Sequence, residues 1–270
     1  MFSKCLRSTA GFLSACALIF CCSALFFNTT VLAANEKTVA LVMKALTNPF
    51  FSKMELGAKA YANRSKIPLE VFGVERETDV ERQISIMENL ISRGYGAIVI
   101  APVDSKQLVP VCRKALASGI VVINIDNPLH KATLRKYNLT IPFVGPDNRA
   151  GAAQVGAYVR NRLNGHGRVV VIEGIRGVEN AELRKTGFIE AITQDSSIEI
   201  VASESANWHT DEALSLAVKL LSTHAPVDAV FCANDKMALG VLQALDISGL
   251  DGKTVLAGYD NNHAVRSEIQ

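Results

Sequence analysis

The chain has 270 residues, enough for one large or two ordinary domains. Hydrophobic residues make up 49% and charged residues 20%, which excludes a disordered tail and allows a sizeable buried core. The 28 basic and 26 acidic residues nearly balance, so the chain lacks the strong basic excess expected of a nucleic-acid-binding domain.

The N-terminus reads as a secretory signal peptide over residues 1–33. Lys4 and Arg7 precede an apolar run over 11–27, and Val31-Leu32-Ala33 offers small residues at a cleavage point. An uncleaved anchor is the alternative, but the run is short for a membrane span. Cleavage near Ala33 removes Lys4 and Arg7 and no acidic residue. The 28 basic residues then fall to match the 26 acidic ones, for a formal charge of zero. It also removes Cys5, Cys16, Cys21 and Cys22, leaving Cys112 and Cys232. Two cysteines so far apart form no disulfide framework and read as buried apolar thiols. No His/Cys cluster has metal-ligand spacing, and neither a metal nor a cofactor is expected.

From residue 38 short β-branched runs alternate with amphipathic stretches of helix length. Strands are expected at 38–43, 69–73, 97–100, 120–125 and 142–144. Helices are expected at 50–65, 78–93 and 105–118, the last ending at Gly119. The pattern restarts after Gly145-Pro146. Strands follow at 168–173, 198–202, 229–231 and 255–259, with helices at 148–163, 179–194, 210–223 and 237–245. Continuously apolar strands separated by helices predict an α/β fold: two doubly wound parallel sheets with a cleft between them. The expected division is a first lobe over 34–145 and a second over 146–270.

Open α/β sheets bind ligands beyond the carboxyl ends of their strands. Lys44, Asn48, Phe50 and Phe51 follow the first strand, and Asp126 and Asn127 follow the fourth. In the second half Trp208 precedes a helix, Asn234 follows a strand, and Asp260 follows the last strand. Carboxylates and carboxamides suit the paired donor and acceptor of a hydroxyl, and aromatic faces cover the C–H face of a sugar ring. Each residue also has a plainer role open to it. Asn48-Pro49 can be a helix-initiating turn, Asp126 and Asp260 can be caps, and Trp208 can be packing. No phosphate-binding Gly-x-x-x-x-Gly-Lys-Ser/Thr run and no Gly-x-Ser-x-Gly elbow occurs. An Asp126/Asp260 acid–base pair across the cleft is the one enzymatic alternative.

Ala40-Leu41-Val42, Asn48-Pro49-Phe50-Phe51, Gly57-Ala58 and Pro102-x-Asp104-Ser105 come in that order. Ile125-Asp126, Asp147-Asn148, Gly174-Ile175-x-Gly177 and Gly187-Phe188 continue the series. Asn234-Asp235-x-Met237-Ala238-Leu239-Gly240 and Gly258-Tyr259-Asp260 complete it. In this order and spacing the chain resembles the ribose-binding-type periplasmic sugar-binding proteins, related to the core of sugar-responsive repressors. The resemblance implies two domains joined by three crossovers, with a sugar or polyol bound between them. It implies Asn48, Phe50, Phe51 and Asp126 as ligand residues from the first lobe, and Trp208, Asn234 and Asp260 from the second. The implied partner is the inner-membrane permease of an ABC importer, and a chemoreceptor is also compatible. A monomer and a periplasmic location are expected. A DNA-binding regulator would need a helix-turn-helix module where the signal peptide stands.

The chain departs from the family pattern at several points. Asn127 stands where the ribose binders have Arg, and Glu182 aligns with a second Arg when counted back from Gly187-Phe188. Lys44 replaces a small residue and resembles the hexose (allose-type) relatives. These departures favour a hexose, ketohexose or polyol over ribose. Glu182 is a further candidate ligand residue, with an exposed helix position as its alternative. The resemblance also predicts a further crossover strand and closing helices after Gln270, so the second lobe is expected to be incomplete.

Overall fold

The computed structural model describes residues 38–268, so the expected signal peptide and its cleavage point lie outside the described residues. Chain order through the first sheet is β1 (Val39–Ala45), α1 (Pro49–Ser65), β2 (Leu69–Val74), α2 (Val80–Ser92), β3 (Ala97–Ile100), α3 (Val109–Ala117), β4 (Val121–Ile125), α4 (Lys131–Lys136) and β5 (Phe143–Val144). The second series is α5 (Asn148–Arg162), β6 (His166–Glu173), α6 (Glu179–Thr193), β7 (Ser197–Ser205), α7 (Thr210–Thr223), β8 (Ala229–Cys232), α8 (Asp235–Ile247), β9 (Val255–Ala257) and α9 (His263–Arg266). Two parallel sheets result, ordered β2-β1-β3-β4-β5 and β7-β6-β8-β9.

Side chains alternate across β1, which explains its unbroken apolar run. Leu41 and Met43 pack with Phe51 and Met54 of α1, while Ala40 and Val42 face the cluster holding Met87 of α2 and Cys112 of α3. A central strand buried on both faces needs apolar residues at every position. The same rule makes Ala229–Cys232 wholly buried. Behind it Phe188 of α6 stacks on Phe231 at 4.0 Å between centroids. Cys112 and Cys232 are both free and buried, as expected, and burial pushes the Cys112 thiol up to about 12.

The expected elements hold with shifted ends. α3 begins at Val109 rather than 105, because the Asp104 carboxylate accepts from the backbone N–H groups of Lys106 and Gln107 at 2.7 Å each. That side-chain turn competes with helix until Pro110 fixes the first turn. α4 and α9 were not expected from the sequence. Neither buries a single residue, so neither leaves a periodic apolar pattern.

In each sheet the strand order reverses beside the first strand laid down, at β1/β3 and at β6/β8. Crevices form at such reversals, and here both open toward one cleft. Buried Gln83 of α2 braces the first edge. It donates to the carbonyls of Met43 and Ala101 (3.2 and 2.9 Å) and accepts from Val103 N–H (2.9 Å). The lobes touch across the cleft. Arg76 pairs with Glu212 at 2.8 Å, and the backbone N–H groups of Glu179 and Asn180 reach Ser105 and Asn127.

Candidate ligand-binding site

The cavity between the lobes is lined by Lys44, Asn48, Phe50, Phe51, Glu77, Asp126, Asn180, Arg184, Trp208, Asn234 and Asp260. As the walls stand, the space left free between them is about 20 Å³, on the scale of one water molecule and far below that of an open small-molecule pocket. Each wall residue is positioned by its local structure. β1 shifts register against β2 between Val42 and Ala45, where Gly73 passes so close that a Cβ would stand 2.8 Å from the Lys44 carbonyl. This irregularity interrupts the ladder at Lys44, one residue before the strand ends, and turns the chain into the site.

Asn48 has two jobs. Its Oδ1 accepts from Phe50 N–H (3.1 Å) as the cap of α1, with Pro49 in the first turn, and its Nδ2 donates to Glu77 (3.1 Å). Asn234 likewise caps α8 by accepting from Met237 N–H at 2.9 Å, which leaves its amide NH2 for the cavity. The helix-initiating role weighed for Asn48 therefore coexists with a cavity position, and Asn234 combines the same two roles. Asp126, Trp208 and Asp260 all have left-handed backbone, with φ of 61°, 68° and 104°. Such conformations are costly for residues other than glycine and cluster where a site needs a particular aim.

Two buried cations organise the electrostatics. Lys44 lies between Asp126 (3.2 Å) and Glu77 (3.6 Å), all from the first lobe. Arg184, 4% exposed, donates to Asn148 Oδ1 (2.8 Å), the Ala233 carbonyl (2.8 Å) and Asp260 Oδ1 (3.0 Å). Its guanidinium stacks 3.9 Å over the Tyr259 ring and lies 5.7 Å from Trp208. Burial pushes the Asp260 carboxyl up to about 7 against the pull of Arg184, with Asp235, Asp126 and Glu77 adding to the rise. Two cations facing three carboxyls leave little net charge to attract an ion. Asn180 Oδ1 and Trp208 Nε1 are buried without hydrogen-bond partners in the protein, while Asp126 Oδ2 has the Lys44 ammonium at 3.2 Å. Unmet buried polar groups are expensive, so the cavity is set up for a neutral ligand that both donates and accepts hydrogen bonds.

Eight of the ten residues singled out from the sequence come together here: Lys44, Asn48, Phe50, Phe51, Asp126, Trp208, Asn234 and Asp260. Two do not. Asn127 is fully buried behind the wall, bonded to the Pro102 carbonyl (2.9 Å) and Ser105 Oγ (3.1 Å). Glu182 turns away to accept from Gly177 N–H (2.8 Å) and to pair with Lys185 (2.6 Å). An arginine does line the cavity two residues later, Arg184, so counting back from Gly187 overshot the residue that turns inward. Glu77, Asn180 and Arg184 were missed. Glu77 follows β2, so the strand-end rule could have found it. Asn180 and Arg184 are spaced i, i+4 on the first turns of α6, which puts them on one face.

The chain belongs to the periplasmic binding protein family. The model of the periplasmic binding protein domain matches residues 39–270. A D-ribose/D-allose-binding protein of Pseudomonas aeruginosa is 42% identical over 261 residues, covering 96% of this chain and 82% of that one. The D-allose-binding periplasmic protein of Escherichia coli is 33% identical, covering 91% and 79%. A solute-binding protein of an ABC transporter from Actinobacillus succinogenes, solved with bound D-allose, superposes with a TM-score of 0.80 at 34% identity, covering 86% and 80%.

One glycine is tied to the site directly. A Cβ on Gly174 would overlap the Trp208 indole, so glycine there lets the ring approach the end of β6 closely. Trp208 is the only tryptophan of the chain, which makes its fluorescence a clean reporter. Gly174→Ala should displace the ring, shift its emission to the red and weaken ligand binding by about tenfold, as expected for about 1.4 kcal/mol. Unchanged emission and affinity would show that the close approach does not set the ring's position.

Proposed function

We propose that this protein is the periplasmic solute-binding component of an ABC importer and that it captures an aldose of the D-allose/D-ribose type between its lobes. In this reading the signal peptide, cleaved near Ala33, delivers the chain to the periplasm. The closed, loaded form then presents the sugar to an inner-membrane permease. No bond of the sugar is made or broken. The observation that carries the reading is the cavity itself: aromatic walls and paired charges from both lobes, with Asn180 Oδ1 and Trp208 Nε1 left unpartnered. Closing on a ligand that satisfies those groups selects the closed state.

The names of the relatives supply the ligand class, and Lys44 supports a hexose. The argument against ribose is weaker than the sequence suggested, because Arg184 provides one of the two guanidinium groups thought to be absent. D-Allose in its pyranose form is ribopyranose with one added hydroxymethyl group, so one site can accept both. We infer D-allose as the tighter ligand and D-ribose as its nearest competitor. Thermal shift with aldopentoses, aldohexoses, ketohexoses and polyols, followed by calorimetry, tests this. A ligand at a hundred times its Kd adds about 2.7 kcal/mol of stability. D-Allose should give the largest shift. A shift only with ketohexoses or polyols would overturn the ligand assignment, and none with any sugar would overturn the sugar-binding reading.

A further inference from the structure

α6 starts without a cap of its own. Its N-cap residue is Val178, which has no side-chain acceptor, yet the first backbone N–H groups of a helix need partners. The partners come from the other lobe. Glu179 N–H donates to Ser105 Oγ at 2.9 Å, and Asn180 N–H donates to Asn127 Oδ1 at 3.0 Å. Ser105 and Asn127 are fully buried and bonded to each other at 3.1 Å. Asn127 is further fixed to its own lobe through the Pro102 carbonyl, and Asn124 Nδ2 donates to the Asn127 carbonyl at 2.9 Å. The acceptors are thus held rigidly on the first lobe and the donors on the second.

We propose that Ser105 and Asn127 are an interlobe helix cap, a latch that forms only when the lobes close and that sets the lifetime of the bound state. They are positioning residues and do not line the cavity. Through α6 they aim Asn180, whose buried Oδ1 faces the cavity unpartnered, and they orient Arg184 one turn further on. The proposal rests on the sugar-binding reading for its ligand but not for its geometry. Asn127 occupies the place where the resemblance implies a ligand arginine. At this position the chain has an interlobe contact in place of a wall contact.

The test is Ser105→Ala, which removes one acceptor and little volume. Losing a cap oxygen weakens a helix start by about 1 kcal/mol, or about fivefold in an equilibrium. Two rates are read: sugar release by stopped flow on Trp208 fluorescence, and amide exchange at Glu179 and Asn180 with and without sugar. In the parent, sugar should slow exchange at these two amides. In the variant, sugar release and Glu179 exchange should each quicken about fivefold, with the melting temperature of the sugar-free protein unchanged. Asn127→Ser, which keeps a shorter acceptor, should fall between the parent and Ser105→Ala/Asn127→Ala. Equal release and exchange rates in parent and Ser105→Ala would overturn the latch. If no sugar binds the parent, the function reading fails alone. Arg76→Cys/Glu212→Cys, joined by a bifunctional thiol reagent, then holds the lobes closed without sugar, and Glu179 exchange in that protein with and without Ser105→Ala decides the latch, equal rates counting against it.

Discussion

Arg184→Met should cost about 3–5 kcal/mol of folding stability at pH 8 or above, the range for removing one member of a buried ion pair. The guanidinium satisfies Asn148, the Ala233 carbonyl and Asp260 in a region closed to water. Methionine fills much of the volume but leaves the Asp260 carboxylate buried without its counter-ion. The loss should depend on pH in a defined direction. The Asp260 carboxyl stands at about 7 against an ordinary value of 3.8, so the folded state holds a proton that the unfolded state has released. Its contribution to stability is full below about pH 4 and is lost as pH rises through 7. Without Arg184 the proton is held more firmly still. The deficit of Arg184→Met should therefore be small at pH 5 and should widen toward pH 9. Denaturant melts at both pH values measure it. Arg184→Met/Asp260→Asn should recover part of the loss, and the recovery should be larger at the higher pH. A deficit that is flat across this range would mean that packing over Tyr259, not the ion pair, accounts for the cost. Arg184→Lys should not rescue, since an ammonium cannot reach the three acceptors and stack on the ring together.

The fold was legible because its strands are buried on both faces and its helices on one, so two different periods are written into the chain. The position of the site was legible for a related reason: parallel sheets send every strand's carboxyl end the same way. What was not legible was which side chain on a given turn looks inward. Asn127 and Asp126 are adjacent, yet the left-handed backbone at Asp126 turns its carboxylate to Lys44 and sends Asn127 behind the wall. Two residues separate Glu182 from Arg184, about 200° around a helix, which is the difference between the Lys185 surface and the cavity. No strand or helix period records such choices. They depend on a backbone angle or on a helix's rotation about its axis, and both are set by packing. Glu77 lies three residues beyond the end of β2 and escaped notice because the next helix was expected to begin beside it, at 78.

Lys44→Met should act on ligand affinity far more than on the stability of the sugar-free protein. Lys44 is 2% exposed, and its partners Glu77 and Asp126 belong to the same lobe. The wall that shuts them from water is the other lobe, whose Trp208 ring lies 6.0 Å from the Lys44 ammonium. When the lobes part, solvent can reach all three groups and screen the two carboxylates. When they close, an uncompensated pair of like charges is desolvated together, and the cost falls on the closed state alone. If that cost is about 3–4 kcal/mol, Kd rises by two to three orders of magnitude. Calorimetry with the sugar that best stabilises the parent reads it directly. Lys44→Met/Glu77→Gln keeps the amide acceptor for Asn48 and removes one charge, so it should regain about half of the lost binding energy. Should Lys44→Met bind within threefold of the parent, the lysine would be neither a counter-ion for closure nor a sugar contact. Should it bind weakly and the double variant bind no better, the lysine would act by touching the sugar itself and not by neutralising the wall.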